Sequence, residues 1–167
     1  MSFEKHRSRT IPSVQCALLT VSDTRTKADD ESGQLIMKFL NESAHSILFY
    51  ELVKDDPAEI EKKLLDQALN RLIQAIIING GTGISNRDQT FEAVERLLEK
   101  RLDGFGELFR SISYQEIGSP AMLTRAIAGT IQGKVIFSIP GSVNAVRLAM
   151  EKLIIPEIGH IVALLNP

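Results

Sequence analysis

The chain has 167 residues, 44% apolar and 24% charged, the ordinary range for one soluble globular domain. Its 19 basic and 21 acidic residues leave a net charge of −2, so no global field draws in nucleic acid or an anionic membrane, and an anionic ligand must be held by local geometry. One cysteine, Cys16, excludes an intrachain disulfide. The first residues lack the apolar centre of a signal peptide, and no run approaches the ~18 apolar residues of a membrane span, so the cytoplasm is the expected location.

Residues 1–12 read as a flexible N-terminal arm ending at Pro12, and residues 13–167 as a single domain. The run VQCALLTV (14–21) predicts a buried strand. A polar stretch, SDTRTKADDESG, leads to a helix in QLIMKFLNES, and ILFYELV (47–53) is a second strand. From residue 54 to 73, Ile60, Leu64, Ala68 and Leu72 recur at intervals of four and predict a helix with one apolar stripe. AIII (75–78) is a short strand, apolar on all sides as in a parallel-sheet interior. Phe91, Val94, Leu97 and Leu98 mark another helix, and GFGELFRSISYQEIGSP holds a further one that ends before Pro120. Residues 127–131 and 135–139 form a hairpin turning at Gln132-Gly133. SVNAVRLAMEKLI and PEIGHIVALL give one or two C-terminal helices. Strands alternating with helices predict an α/β sandwich on a mostly parallel sheet, made mixed by the late hairpin.

In such sheets ligands bind beyond the carboxyl ends of the strands, and four unusual loops follow predicted strands. In NGGTGISNRDQT (79–90), Gly80, Gly81 and Gly83 let a ligand approach the backbone and let φ turn positive. Consecutive amides then make an anion nest, and the next helix start adds roughly half a positive charge. Thr82 and Ser85 supply hydroxyls. The loop is neither a Walker A nor a GxGxxG motif. A plain strand-to-helix turn with Asp88 as a first-turn acid would use the same residues. The sharper reading of Asp88 is electrostatic. A carboxylate beside a phosphate nest repels the ligand unless a cation lies between them, and Mg²⁺ takes one or two carboxylates plus phosphate oxygens.

The loop KDDP carries an internal control. Asp56, Pro57 and Glu59 have the spacing of a capped helix start, so Asp56 has a structural task. Asp55 has none, and is either a solvated turn residue or a second metal or nucleotide contact. In the loop after the first strand, Ser22 begins the turn, Arg25 is the plausible phosphate contact, and Asp30 or Ser32 can cap the next helix. In SIPGS, Pro140-Gly141 makes a turn and Ser142 either caps a helix or holds a phosphate on that helix end. His6, His45 and His160 have no metal-ligand spacing.

Together, TVSDTR (20–25), DESG (30–33), NGGTGISNRDQT (79–90), GFGELFR (104–110) and SIPGSVNAVRLA (138–149) resemble the molybdopterin-binding family of molybdenum cofactor biosynthesis. The resemblance implies a three-layer α/β/α sandwich and Mg-ATP-dependent adenylylation of molybdopterin. It places the essential, metal-holding aspartates at Asp88 and Asp55. The pocket would be formed by Ser22, Arg25, Gly80, Gly81, Thr82, Gly83, Ser85, Pro140, Gly141 and Ser142. It also implies that other cofactor-biosynthesis proteins are partners, and that the chain forms a homotrimer or homohexamer. A non-catalytic molybdopterin carrier or scaffold is the alternative, and a different nucleotide- or phosphosugar-binding α/β protein a weaker one.

Overall fold

The computed structural model describes residues 9–166. Its strands are β1 (Gln15–Val21), β2 (Ser46–Val53), β3 (Ala75–Asn79), β4 (Lys100–Arg101), β5 (Ile127–Ile131) and β6 (Lys134–Ile139). They form one six-stranded sheet in the order β2-β1-β3-β6-β5-β4. The first four in that order run parallel, while β5 is antiparallel to both of its neighbours. The helices are α1 (Glu31–Glu42), α2 (Pro57–Leu69), α3 (Thr90–Leu97), α4 (Asp103–Ile117), α5 (Val143–Ala149) and α6 (Ile155–Leu165).

The apolar runs of the central strands follow from burial on both faces. Along β1 and β3 successive side chains alternate. Cys16, Leu18, Ala75 and Ile77 pack with Ile36 and Leu40 of α1, Phe105 and Phe109 of α4, and the α5–α6 segment. Ala17, Leu19, Ile76 and Ile78 pack with Ile60 and Leu64 of α2 and with Ala93 and Val94 of α3. Two cores on opposite faces of one sheet make the three-layer α/β/α sandwich.

Asp56 caps α2 by accepting the Glu59 amide at 2.9 Å, with Pro57 in the first turn. The hairpin turn places Gln132 at φ 48° and Gly133 at φ 72°, the pair of positive angles that lets a two-residue turn follow the twist of its strands. Glu99 steadies Gln132 there, accepting its amide at 3.0 Å and its side-chain Nε2 at 3.3 Å.

Two expectations need correction. The stripe drawn through Leu72 overruns α2, which ends at Leu69; Leu72 is 69% exposed, and the buried residue is Ile73. Leu98 lies past α3, where the chain straightens towards β4, a two-residue charged strand with no apolar signature. The C-terminal segment is one continuous rod with a π turn at Met150–Ile154. Pro156, which has no amide to donate, follows directly. Of the expected N-terminal arm, residues 1–8 lie outside the described residues. Ile11 is tied down, its amide donating to the Gly159 carbonyl at 3.1 Å.

Ile77 is fully buried in the central strand β3. Ile77→Ala is expected to lose about 2–5 kcal/mol of stability, read as a lower urea midpoint at unchanged slope.

Candidate functional site

The glycine loop leaves β3 through two positive φ angles, 95° at Gly80 and 63° at Gly81. A Cβ on Gly80 would lie 2.4 Å from the Val21 carbonyl oxygen, and one on Gly81 would lie 2.2 Å from Thr90 Oγ1. Both space and φ therefore demand glycine. The loop is pinned at its two ends. The Gly80 amide donates to Ile139 O at 3.0 Å, and the Thr90 amide to Gly81 O at 2.9 Å. Between those pins, the amides of Gly81, Thr82, Gly83 and Ile84 donate to no acceptor among the described residues. Four consecutive amides without an acceptor are free to bind an anion.

The loop borders a cavity of about 440 Å³ at the carboxyl ends of the parallel strands. Ser22 and Arg25 line it from the β1 loop, Gly80, Gly81, Thr82, Gly83 and Asp88 from the β3 loop, and Pro140 and Gly141 from the β6 loop. Three loops that are far apart in sequence thus share one wall. The rest of the wall includes Pro120, Leu123 and Thr124, from the 3₁₀ turn Ser119–Leu123 and the residue after it. Sequence reasoning missed that wall, since its residues have no distinctive spacing.

Three expected site residues do not line this cavity: Asp55, Ser85 and Ser142. Ser142 caps α5, accepting the Ala145 amide at 3.3 Å, and lines an adjoining cavity of about 230 Å³. Ser85 does not line the main cavity; its amide donates to Asp88 Oδ2 at 3.0 Å and its hydroxyl bonds the same oxygen.

The two singled-out aspartates come together on one side of the molecule. Asp88 borders the cavity. Asp55 approaches the same loop from β2, its Oδ2 lying 3.0 Å from where a Cβ on Gly81 would stand. Its Oδ1 accepts the Gln89 amide at 3.3 Å. Asp55, rather than an open ligand position, therefore takes the positive start of α3. Burial pushes the Asp55 carboxyl above its ordinary range, and repulsion from Asp88 and Asp23 adds to this against the Gln89 hydrogen bond. Asp23 binds the pieces together: it accepts the Asp55 amide at 3.2 Å and pairs with Arg87.

Among the described residues, no group of three or more His, Cys, Asp or Glu is placed to hold a metal. Two mutually repelling carboxylates beside open amides nonetheless fit Mg²⁺, which completes its shell with phosphate oxygens and water. The residues that would hold it are Asp55 and Asp88.

Arg25 borders the cavity but is already engaged. Its guanidinium donates to Ser32 Oγ at 2.6 Å, to Asp30 Oδ1 at 3.4 Å and to the Gly141 carbonyl at 3.1 Å. It thereby joins the β1 loop to the β6 loop. Behind it lies a buried polar network. Asp30 accepts the Gly33 amide at 3.1 Å, the Ser32 hydroxyl at 3.0 Å and the Tyr50 hydroxyl at 2.7 Å. Asn79, the last residue of β3, donates to Ser32 Oγ at 2.8 Å and accepts the Thr20 hydroxyl at 2.8 Å.

Sequence reasoning also missed Arg125, which does not line the cavity but is bound to the glycine loop. Its guanidinium donates to the carbonyls of Thr82 at 3.1 Å, Gly83 at 2.5 Å and Asp88 at 3.2 Å. It also pairs with Glu92 and stacks over Phe91, 5.2 Å from the ring centre. An arginine within the plain segment AMLTRAIAGT gave no signal of this.

Burial opposes ionisation of Asp30, but hydrogen bonds from Tyr50, Gly33 and Ser32 outweigh it and hold the carboxyl below its ordinary range. The sign follows. The stabilisation is complete above the unfolded value of about 3.9 and is lost as pH falls through the lower folded value. Asp30→Asn should cost about 1–3 kcal/mol at neutral pH and flatten the acid limb of the stability curve, as measured by urea titrations at several pH values.

Comparison with known proteins identifies the family. Residues 17–160 match the family model described as a probable molybdopterin binding domain. The molybdenum cofactor biosynthesis protein B of Bacillus cereus is 52% identical over 162 residues, 96% of each chain. The protein of that name from Bacillus subtilis is 48% identical, covering 97% of this chain and 96% of the relative. A crystal structure of a molybdenum cofactor biosynthesis protein B superposes with a TM-score of 0.91 at 54% identity, covering 92% of this chain and 96% of the other. A tungsten cofactor synthesizing protein from Pyrococcus furiosus gives 0.84 at 38%, covering 93% and 98%. With its glycine loop, its paired aspartates and these relatives, the chain belongs to the molybdopterin-binding family that serves molybdenum cofactor biosynthesis.

Proposed function

We propose that the chain adenylylates molybdopterin at the expense of Mg-ATP. The observation that carries this reading is that Asp55 and Asp88 both stand against a glycine loop with four open amides, Gly81 to Ile84, and that Gly81, Thr82, Gly83 and Asp88 of that loop line the cavity. Open amides favour an anionic ligand, and two like charges next to them favour a divalent cation between ligand and protein. Magnesium polyphosphate satisfies both at once.

In the proposed reaction a terminal phosphate oxygen of molybdopterin attacks the α-phosphorus of ATP. The bond from that phosphorus to the bridging oxygen breaks, and its electron pair leaves with pyrophosphate. The products are adenylylated molybdopterin and pyrophosphate. The glycine-loop amides would hold phosphate oxygens, and Arg25 would contribute positive charge from the β1 loop. Asp55 and Asp88 would hold Mg²⁺, which neutralises charge on the transferring phosphate. Catalysis here is positioning and electrostatics, with no side-chain nucleophile required.

Mixing the protein with molybdopterin, ATP and Mg²⁺ should release pyrophosphate and yield an adenylylated pterin. Asp88→Asn should lower that rate on the order of 10²-fold or more, the scale of removing one preorganised electrostatic group, while leaving pterin binding intact. Unchanged transfer would remove Asp88 from the chemistry. Pterin binding by the wild type without any pyrophosphate would favour a carrier over an enzyme.

A further inference from the structure

Arg125 does not border the cavity, yet it donates hydrogen bonds to three residues of the glycine loop. Each contact is to a carbonyl: Thr82, Gly83 and Asp88. The structure has no cis peptide bonds. In a trans peptide the carbonyl of one residue and the amide of the next point in opposite directions. Three carbonyls gathered on one cation therefore send the amides of Gly83, Ile84 and Gln89 the other way.

The third of these amides checks the geometry. The Gln89 amide donates to Asp55 Oδ1 at 3.3 Å, so the peptide whose Asp88 carbonyl Arg125 holds turns its amide to Asp55. The other two have no acceptor among the described residues, and Gly83 lines the cavity. Arg125 is itself held from behind. Both of its terminal nitrogens reach Glu92, its plane lies over Phe91, and its side chain is only 25% exposed. Glu92 and Phe91 belong to the first turn of α3, so the guanidinium fixes the loop against the helix that follows it.

Resting on the reaction proposed above, we propose that Arg125 is a positioning residue of that site. By collecting the loop carbonyls on its own side, it presents the loop amides to the phosphate groups of the ligand, and it holds the Asp88 backbone in register with Asp55. A planar guanidinium suits this task because its donors diverge in one plane and can serve several carbonyls together; a lysine ammonium cannot reproduce the fork.

Two readouts on the full chain test it. The first is calorimetric binding of inorganic pyrophosphate with Mg²⁺, which needs no turnover. The second is pyrophosphate release with molybdopterin and ATP. Arg125→Ala is expected to weaken pyrophosphate binding at least about tenfold and to raise the KM for ATP, with Arg125→Lys only partly restoring either. Low-millimolar guanidinium ion should rescue Arg125→Ala where the same concentration of sodium chloride does not. Glu92→Ala, which removes the rear support but spares the carbonyl contacts, should keep affinity within about threefold.

Affinity within twofold of wild type in Arg125→Ala would overturn the proposal, as would equal losses in Arg125→Ala and Glu92→Ala, which would mark a mere brace. If Arg125→Ala does not fold, Arg125→Lys decides on the same readouts: wild-type affinity overturns the proposal and a loss with a normal melting curve supports it. A wild type that binds pyrophosphate through Arg125 but never releases it from ATP would support the positioning role and sink only the adenylyl-transfer reading.

Discussion

The site rests on a close approach of bare backbone. At the carboxyl ends of β3 and β6 two turns meet so tightly that a Cβ on Gly141 would stand 3.0 Å from the Gly80 Cα. A methyl group on Gly80 would strike the Val21 carbonyl oxygen at 2.4 Å, and one on Gly141 would make its neighbour give by a few tenths of an ångström. That contact lets the glycine loop and the Pro140-Gly141 turn form one continuous wall, and it brings Arg25 within reach of the Gly141 carbonyl. Side chains then elaborate a shape that the main chain has already set.

Around this backbone core the charges are arranged in layers. Asp55 and Asp88 stand beside the open amides; Asp23 and Arg87 pair just outside them; Arg125 and Glu92 pair behind the loop. Each arginine answers a carboxylate or a carbonyl, so the cations serve mainly to hold loops in place. In the proposed reaction the anion-attracting groups would be backbone amides, which cannot swing away and would cost little reorganisation when charge develops in front of them. Beneath this layer, Asp30, Ser32, Asn79 and Thr20 join β1, β3 and the start of α1 in a buried hydrogen-bonded network. A satisfied network of that kind specifies one arrangement of the strand ends.

Much of this was legible in the sequence because its causes are local. Burial on both faces writes AIII and CALL as unbroken apolar runs, and the cap geometry of α2 is written in Asp56, Pro57 and Glu59. The loop residues at strand ends were legible as a set because parallel strands must discharge their loops on one edge. What escaped depends on contacts made across the fold. Arg125 reaches Thr82 from 43 positions away, and no local spacing can announce such a bond. The wall made by Pro120, Leu123 and Thr124 follows only from where α4 ends. Ser142 was assigned a phosphate or a cap, and the structure shows the cap, with the side chain turned towards a neighbouring cavity. The overrun at Leu72 has a simpler cause: periodicity says which residues share a face but not where the helix stops.

The wide turn at Met150–Ile154 has a consequence for how the two ends of the chain meet. Val146, Met150, Ile154, Ile158 and Val162 are all fully buried, at a strict spacing of four. On an ideal α-helix that spacing slides around the rod by about 40° per step, since each residue advances about 100°. A turn wound more loosely takes part of that slide back, so the seam stays aimed at the sheet through both halves of the rod. Gly159 then comes to rest under the incoming chain, where a Cβ would strike the Ile11 carbonyl at 2.5 Å. Losing a single residue from the loose turn would rotate the second half by about a quarter of a revolution. It would carry the landing place of the first described residues away from them, although that place is more than 140 positions distant along the polypeptide.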